Sequence, residues 1–209
     1  GSVMNNECPI KKSKKIGLLI ISELNEFSLS QKNQIYYPEH KNSEFLDNYC
    51  HKNKIPVTIL LRTDHQDVID FYIKKFKKNK INFELPKKPL FYNTDSYRIV
   101  DKAKVIVSVS STLGYEAFSR NNRVAFFSFR GEKLIQKSFN FGWPRKTSSN
   151  NGLIWSNVSN DKYFIKILHY LFKVEEQKWK KDLKKLSKYG IARDEGNKLF
   201  YKHTGLKRN

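Results

Sequence analysis

The sequence contains only two cysteines, Cys8 and Cys50, and a single methionine among its 209 residues. Two cysteines are too few for a disulfide framework, so the composition predicts a protein of a reducing, cytoplasmic compartment. No apolar run approaches the roughly 20 residues that span a bilayer, and the longest one, Ile16–Ile21, has the length of a β-strand. The basic amino-terminal residues are not followed by an apolar segment or a cleavage site, which argues against a signal peptide.

Several motifs that would assign a function directly are also missing. The sequence has no G-x-G-x-x-G dinucleotide fingerprint and no G-x-x-x-x-G-K-[ST] phosphate loop. It carries no RNA-recognition signature, and its His, Cys and Asp residues do not fall at metal-ligand spacing. We therefore expect neither a bound metal ion nor a tightly bound cofactor.

Acidic residues are scarce relative to basic ones, with 20 Asp and Glu against 40 Lys and Arg and a formal net charge of +20. The excess predicts an anionic partner, such as nucleic acid, a membrane surface or a phosphorylated substrate. Hydrophobic residues make up 39% of the chain and aromatic residues 14%, which predicts a folded domain rather than a disordered one. Because the basic residues are spread along the whole chain, we expect no specific nucleic-acid partner.

Short apolar runs alternate with helical patterns along most of the chain. This alternation predicts a single Rossmann-like three-layer α/β domain over residues 16–160, with a mostly parallel sheet of five or six strands. Residues 1–15 are predicted to be a flexible basic leader with a tag remnant, and residues 161–209 a C-terminal extension of amphipathic helices. The predicted strands are Ile16–Ile21, Val57–Leu61, Asn82–Leu85, Lys104–Ser108 and Val124–Phe129. The predicted helices cover 43–52, 64–78, 94–103, 112–120 and 161–187, the last interrupted near Glu175.

Two long stretches lack a strong periodicity. Residues 22–42 are polar and are predicted to form a long loop, which contains Glu39 and His40 and in which His40 is interpreted as a surface histidine. Residues 130–160 are rich in Gly, Ser and Asn and are predicted to be irregular. Trp143 and Trp155 in that stretch are interpreted as aromatics that hold loops in place.

The most informative segment joins the predicted strand Lys104–Ser108 to the next helix through Ser110, Ser111 and Thr112. A helix N-terminus presents unpaired N–H groups and the positive end of the helix dipole, and hydroxyl groups add further donors. The segment also follows a parallel strand, where α/β domains bind their ligands. It therefore predicts a phosphate site, with Glu116 one turn into the helix and able to reach a ribose. The simpler alternative is that Ser111 or Thr112 only caps the helix.

Three further charged residues follow other predicted strands. Glu23 and Glu26 come after the first strand and are candidates for a general base or a sugar contact, although exposed loop acids are the simpler interpretation. Arg130 follows the fifth strand and is a candidate for a bidentate phosphate contact.

Three segments resemble the donor-binding half of GT-B glycosyltransferases, and more narrowly the bacterial surface-carbohydrate biosynthesis transferases. These segments are Asp101–Ser108, Ser110–Ala117 and Arg123–Phe127, and they are similar to an S-S-T-x-G-x-E-A signature followed by G-x-x-V. Residues 141–144 and 152–155 are similar to the same group, and the likeness covers about residues 16–180. The resemblance implies that Ser110, Ser111, Thr112 and Gly114 hold the phosphates of a nucleotide sugar and that Glu116 binds its ribose.

The sequence departs from that family in three ways. A His-Pro pair found in many related transferases that use CMP-activated acidic sugars is replaced by Arg62-Thr63-Asp64-His65. Arg62 is therefore a candidate for nucleotide binding and His65 a candidate for catalysis. Asn122 stands where the family has a glycine before the fifth strand. The chain also has room for one of the two GT-B halves, so we expect a truncated protein or a subunit that needs a partner.

The resemblance implies a donor-binding domain of a glycosyltransferase that acts on surface polysaccharide. Its expected partners are a nucleotide sugar (a CMP-linked one is a candidate), an anionic glycan or lipid-linked acceptor, and an N-terminal acceptor domain or partner subunit. The basic surface leads us to expect a cytoplasmic protein that contacts the inner face of the cytoplasmic membrane. Two alternatives are a non-enzymatic nucleic-acid-binding module and a sugar-nucleotide epimerase-like domain, for which acid and base residues are not evident.

Overall fold

A computed structural model describes residues 3–10, 15–25, 36–86, 94–134, 139–142 and 145–204. The strands are β1 (Ile16–Ile21), β2 (Val57–Leu60), β3 (Ile81–Glu84), β4 (Ala103–Ser108), β5 (Val124–Phe127) and β6 (Trp155–Ser156). The helices are α1 (Val3–Glu7), α2 (Tyr37–Asn53), α3 (Gln66–Lys75), α4 (Asp95–Val100), α5 (Thr112–Ser119), α6 (Arg130–Leu134), α7 (Asp161–Lys173), α8 (Glu176–Leu186) and α9 (Lys198–Thr204). Short 3-10 turns lie at Ser187–Tyr189 and Glu195–Asn197.

The six strands form one parallel sheet in the order β3-β2-β1-β4-β5-β6. This order confirms the predicted Rossmann-like α/β class. The first strand, β1, lies in the middle of the sheet, with β2 and β3 following on one side. The chain then crosses back, and β4, β5 and β6 follow on the other side of β1. The strand order therefore reverses between β1 and β4, and the carboxyl ends of these two strands mark the point where such folds bind ligands.

Helices cover both faces of the sheet, as β5 shows at two consecutive residues. Phe126 packs against Phe118 of α5 with ring centroids 6.2 Å apart, whereas Phe127 packs against Phe164 of α7 at 4.1 Å. Successive strand residues point to opposite faces, so these contacts place α5 and α7 on opposite sides. The arrangement explains why β1, β4 and β5 read as nearly continuous apolar runs.

Helix α2 begins six residues earlier than predicted. It starts at Tyr37, with Pro38 in its first turn, where the missing N–H of proline is tolerated. Ser43, the predicted cap, lies inside the helix and donates from its Oγ to the carbonyl of Glu39. The prediction of a loop through residue 42 is therefore wrong for residues 37–42.

The stretch 130–160 contains more structure than predicted. Residues Arg130–Leu134 form α6, and Trp155–Ser156 add the sixth strand beside β5. Trp155 is buried and stacks on Phe141 with ring centroids 4.9 Å apart, so it belongs to the core. Trp143 lies outside the described residues.

Part of the predicted leader is also built into the fold. Residues Val3–Glu7 form α1, and the side chains of Asn5, Asn6 and Cys8 are buried. Buried Arg120, after α5, donates to the backbone carbonyls of Asn5 and Cys8. These hydrogen bonds order residues 3–10 although their polar composition suggests a loose segment; the proposed domain boundaries stay a prediction.

The carboxy-terminal amphipathic pattern forms two helices with the interruption at Val174–Glu175, close to its predicted place. Trp179 of α8 is fully buried, contacts Phe118 and donates its indole N–H to the carbonyl of Asn121. Among the described residues, no helix combines the length and apolar character needed to cross a bilayer.

Candidate functional site

A cleft of about 920 Å³ opens at the carboxyl edge of the sheet, at the point where the strand order reverses. Its walls come from the segments at the carboxyl ends of β1, β2, β3, β4 and β5. Tyr36, which precedes α2, and Ser96 of α4 complete them. The lining residues are Ile21, Ser22, Glu23, Tyr36, Leu60, Leu61, Arg62, Leu85, Pro86, Ser96, Ser110, Ser111, Thr112, Leu113, Arg130 and Phe139. This volume lies in the range of small-molecule and cofactor sites.

The predicted phosphate site lies in this cleft, at the start of α5. Ser111 is the N-cap of α5, and its Oγ accepts a hydrogen bond from the backbone N–H of Leu113 at 3.2 Å. Ser111 therefore caps α5, and its contact with phosphate stays a prediction. Thr112 is exposed and borders the cleft.

A carboxylate already lies against the N–H groups of this turn. Glu23 accepts hydrogen bonds from the backbone N–H of Ser110 at 2.7 Å and of Ser111 at 2.8 Å. It also accepts from Ser110 Oγ and from Arg130 Nη1, both at 2.9 Å. We call these four donors the anion position. Glu23 is thus not the exposed loop acid of the simpler interpretation.

Arg130 joins this position to a second carboxylate. Its Nη1 also contacts Ser110 Oγ, and its Nη2 donates to Glu39 Oε1. The side chains of Arg130 and Glu39 are 9% and 3% exposed, so both charges are largely removed from water. The guanidinium therefore bridges Glu23, in the segment after β1, and Glu39, in α2.

Burial raises the pKa of Glu39 to about 7, because desolvation and the charge of Glu23 outweigh the opposing effect of Arg130. Its Oε2, the Asn42 side-chain amide and Ser108 Oγ make no hydrogen bond among the described residues. All three residues line a cavity of about 10 Å³ beneath the cleft, which is about the smallest space that admits one water molecule. We therefore expect the carboxyl group of Glu39, at the base of the site, to gain or lose its proton near neutral pH.

Gly114 and Glu116 lie on the buried side of α5. A Cβ on Gly114 would lie 2.4 Å from Ser108 Oγ, so the glycine allows α5 to pack closely on β4. Glu116 is 6% exposed and accepts a hydrogen bond from the Tyr97 hydroxyl at 3.2 Å. Neither residue lines the cleft described above, so their contacts with phosphate and ribose stay predictions.

The remaining candidates fall in different places. Arg62 is exposed and lines the cleft after β2. His65 is the N-cap residue of α3; its Nδ1 lies 3.6 Å from a carboxylate oxygen of Asp67, and it is not among the cleft-lining residues. Glu26 lies outside the described residues.

Sequence reasoning missed Glu39 and most of the apolar wall formed by Leu61, Leu85 and Pro86. Pro38 was the available signal for Glu39, since proline favours the first turn of a helix and an early helix start places Glu39 in it. Leu61 and Leu85 each follow a strand by one residue, so their position at the carboxyl edge was open to inference.

A second cavity of about 240 Å³ adjoins the cleft and shares Ser110, Thr112 and Phe139 with it. Its other lining residues are Tyr115, Asn140, Lys146 and Ile191. Partial burial lowers the pKa of Lys146, and the Tyr115 hydroxyl accepts a hydrogen bond from the N–H of Gly142 at 3.0 Å. The site region therefore has a large compartment and a smaller one on either side of Thr112.

Two solved structures have a fold similar to that of this chain. A UDP-GlcNAc 2-epimerase from Neisseria meningitidis bound to UDP-GlcNAc aligns with a TM-score of 0.54 and 14% identity, over 93% of this chain and 45% of that one. A "putative UDP-N-acetylglucosamine 2-epimerase" from Listeria monocytogenes aligns with a TM-score of 0.51 and 13% identity, over 91% and 45%. The chain therefore spans about half the length of these proteins, and the likeness is one of fold.

A search of curated proteins finds no match. A family model described as "putative O-antigen biosynthesis protein" matches residues 9–208 and so includes the sheet, the cleft and the C-terminal helices. The chain belongs to this O-antigen biosynthesis family.

Proposed function

We propose that the cleft binds a nucleotide sugar and that the chain is the donor-binding half of a glycosyltransferase in O-antigen biosynthesis. The observation that carries this proposal is the cleft of about 920 Å³ at the reversal point between β1 and β4. A nucleotide sugar needs an apolar surface for its base and hydrogen-bond donors for its phosphates, and both kinds of surface line this cleft.

The two kinds of surface lie at opposite ends of the lining. Leu61, Leu85 and Pro86 supply an apolar wall after β2 and β3, which suits a nucleobase. The Ser110–Thr112 turn and Arg130 supply donors after β4 and β5, which suits a diphosphate. We propose that Arg62, which lines the cleft after β2, contacts the same phosphates. The ribose contact of Glu116 stays a proposal from the resemblance, because this carboxylate is buried, accepts a hydrogen bond from Tyr97 and does not line the cleft.

The sugar has a candidate compartment in the smaller cavity of about 240 Å³. That cavity begins at Ser110 and Thr112, where the diphosphate would end. Lys146 and Asn140 add a cation and an amide to its lining, which suits a sugar that carries an acidic or amide substituent.

The comparisons support the proposal at a coarser level. The family is one of O-antigen biosynthesis, and the neighbour from Neisseria meningitidis is bound to UDP-GlcNAc. Because the chain spans 45% of that neighbour, we propose that transfer needs a second half that binds the acceptor. An anionic glycan or a lipid-linked acceptor, met at the membrane surface, is consistent with the net charge of +20.

A sugar-nucleotide epimerase-like domain is the second candidate, because both structural neighbours are described as 2-epimerases. The two candidates share donor binding and differ in what happens next. An epimerase half would convert the bound sugar to its epimer when completed by its second half, whereas a transferase half would release the nucleoside phosphate and pass the sugar on.

Isothermal titration calorimetry with UDP-, GDP- and CMP-linked sugars tests donor binding. We expect one nucleotide class to bind and Arg62→Glu to weaken its binding about tenfold or more, since a negative charge would replace the cleft-lining cation that we propose to contact the phosphates. Arg98→Glu is the matched control, because Arg98 is an exposed arginine of α4 that does not line the cleft.

If none of the nucleotide sugars binds, the proposed function is wrong. An equal loss of affinity in both variants would point to a general surface charge effect and would also contradict the proposed site. NMR of the sugar anomeric signals during incubation with the cognate second half distinguishes the epimer from the transferred product.

A further inference from the structure

The four donors of the anion position form a complete binding set for one oxyanion. Two backbone N–H groups, one hydroxyl and one guanidinium converge on the Glu23 carboxylate at 2.7 to 2.9 Å. They lie at the N-terminus of α5, where the helix dipole adds positive potential. A phosphate oxygen pair would use the same donors, so phosphate and Glu23 compete for one place.

We propose that Glu23 is an intramolecular competitor for the ligand's phosphate, which enters the anion position only when the Glu23 carboxylate leaves it. This inference rests on the proposed function for the source of the phosphate, a nucleotide sugar. It adds that the site is self-occupied before the ligand arrives and that Glu23 sets the phosphate affinity.

Simultaneous occupation is unfavourable for both steric and electrostatic reasons. The donors at Ser110 and Ser111 are single N–H groups, and each already makes a short hydrogen bond to Glu23. A phosphate close to a carboxylate in a partly buried site is strongly repelled, because water screens the two negative charges only weakly there. Arg130 does not remove this repulsion, because it is shared with Glu39.

Glu23 has a route out of the anion position. It belongs to the non-helical residues 22–25 that follow β1, so its movement breaks no helix or strand hydrogen bond. Its side chain is 14% exposed and borders the cleft of about 920 Å³, into which it can turn. The residue is therefore bound tightly enough to compete and placed freely enough to be displaced.

Arg130 stays in place when Glu23 leaves. Its Nη2 remains bonded to Glu39, which is 3% exposed and held in α2. The freed Nη1 and the Ser110 hydroxyl then face the incoming phosphate. Glu39 thus acts as a positioning residue for Arg130, and Glu23 alone exchanges with the ligand.

The test uses inorganic pyrophosphate as the probe, titrated calorimetrically into the wild-type protein, Glu23→Ala and Glu23→Gln. We expect pyrophosphate to bind Glu23→Ala about tenfold or more tightly than wild type, because the competing charge is gone. Glu23→Gln should lie between them, since its amide oxygen competes less well than a carboxylate. Glu44→Gln is the matched control, because Glu44 is an exposed carboxylate paired with Lys75 and is not among the cleft residues.

Equal or weaker pyrophosphate affinity in folded Glu23→Ala and Glu23→Gln would overturn the proposal and make Glu23 part of the ligand-binding or structural framework. If both variants fail to fold, amide NMR of the wild type decides. Pyrophosphate must then shift the Ser110 and Ser111 N–H signals and the Glu23 carboxyl carbon together, and unchanged Glu23 signals at saturation contradict displacement.

The same proteins separate this inference from the proposed function. Tighter pyrophosphate binding in the variants with no binding of any nucleotide sugar would support the competition and refute the nucleotide-sugar function. Wild-type binding of a nucleotide sugar without any gain in the Glu23 variants would support the function and refute the competition.

Discussion

Two buried arginines, Arg120 and Arg130, lie at opposite edges of the same sheet and differ in the number of carboxylates that they face. Arg120 lies at the amino edge, pairs with the single carboxylate of Asp101 at 2.5 Å and donates to backbone carbonyls of the amino-terminal segment. Arg130 lies at the carboxyl edge and is shared between two carboxylates, Glu23 and Glu39.

The difference separates a structural pair from a site. At the amino edge Arg120 pairs with one carboxylate, Asp101, to which Asn122 adds a hydrogen bond at 2.8 Å and near which Lys15 supplies a second positive charge. At the carboxyl edge one cation faces two carboxylates, one of which has its pKa raised to about 7. Such an excess of buried negative charge is unfavourable for stability alone and is typical of sites that exchange a proton or a ligand.

Arg120→Met gives the largest expected effect. It leaves Asp101 buried without its cation, and such a loss typically costs about 3–5 kcal/mol in the free energy of unfolding. Urea denaturation measures this free energy. Arg98→Met, which breaks the more exposed pair with Asp95, is expected to cost less than about 1 kcal/mol. A similar cost for both variants would contradict the structural role assigned to the Arg120 pair.

The pH dependence of stability should report the carboxyl edge. The pKa of Glu39 is raised from 4.5 to about 7, so the folded state binds its proton more tightly than the unfolded state does. This contribution is fully present below pH 4.5 and is lost as the pH rises through about 7. A shift of this size corresponds to roughly 3 kcal/mol.

Urea denaturation between pH 4.5 and 8 checks this prediction by comparing wild type with Glu39→Gln. The variant should lack the loss of stability on going from acid to neutral pH. Parallel stability curves for the two proteins would show that Glu39 does not titrate in this range.

Exchange of arginine for lysine sharpens the comparison between the two edges. Lysine has no planar fork, so Arg130→Lys cannot bind Glu39 and the incoming phosphate at the same time, and we expect nucleotide-sugar affinity to fall about tenfold, or roughly 1.4 kcal/mol. Arg120→Lys should lower stability and leave that affinity unchanged. Calorimetric titration of both variants measures the affinities, and a loss confined to Arg120→Lys would reverse the assignment.

Ser111→Ala has the smallest expected effect. It removes the Ser111 hydroxyl, which caps α5 by accepting a hydrogen bond from the N–H of Leu113. We expect the free energy of unfolding to fall by about 1 kcal/mol. The backbone N–H of Ser111 remains, so ligand affinity should change less than in Arg130→Lys. Thermal and urea denaturation alongside calorimetry check both parts, and a strong loss of affinity would show that the hydroxyl itself contacts the ligand.

The sheet, and the edge at which the cleft opens, were predictable from the sequence. Buried parallel strands need apolar residues on both faces, and the runs at Ile16–Ile21 and Ala103–Ser108 show this pattern. Glu23 and Ser110 are 87 residues apart, yet each follows one of these two neighbouring strands. Their proximity at one edge follows from the topology, but the direct hydrogen bond between them does not, because rotamers are set by packing.

Other features depend on contacts that no local pattern encodes. Strand β6 has only two residues, Trp155 and Ser156, and forms because β5 offers it hydrogen-bond partners. Helix α1 is polar and short, and it is ordered by Arg120 from a distant part of the chain. The raised pKa of Glu39 results from its burial, and Glu39 is buried because α2 starts at Tyr37. The sequence analysis predicted a later helix start and therefore did not predict this burial.

The hydrogen bonds of helix α1 also have a consequence for chain topology. Asn6 donates to the Asn197 side chain at 2.8 Å and accepts from the N–H of Asp194 at 2.9 Å. The partners in these two hydrogen bonds are 191 and 188 positions apart in the sequence. The segment that contains Asn6 and the segment that contains Asn197 therefore lie side by side. A circular permutant that joins the segments around Asn6 and Asn197 through a short linker should retain the sheet and the cleft, because adjacent ends tolerate such rearrangement.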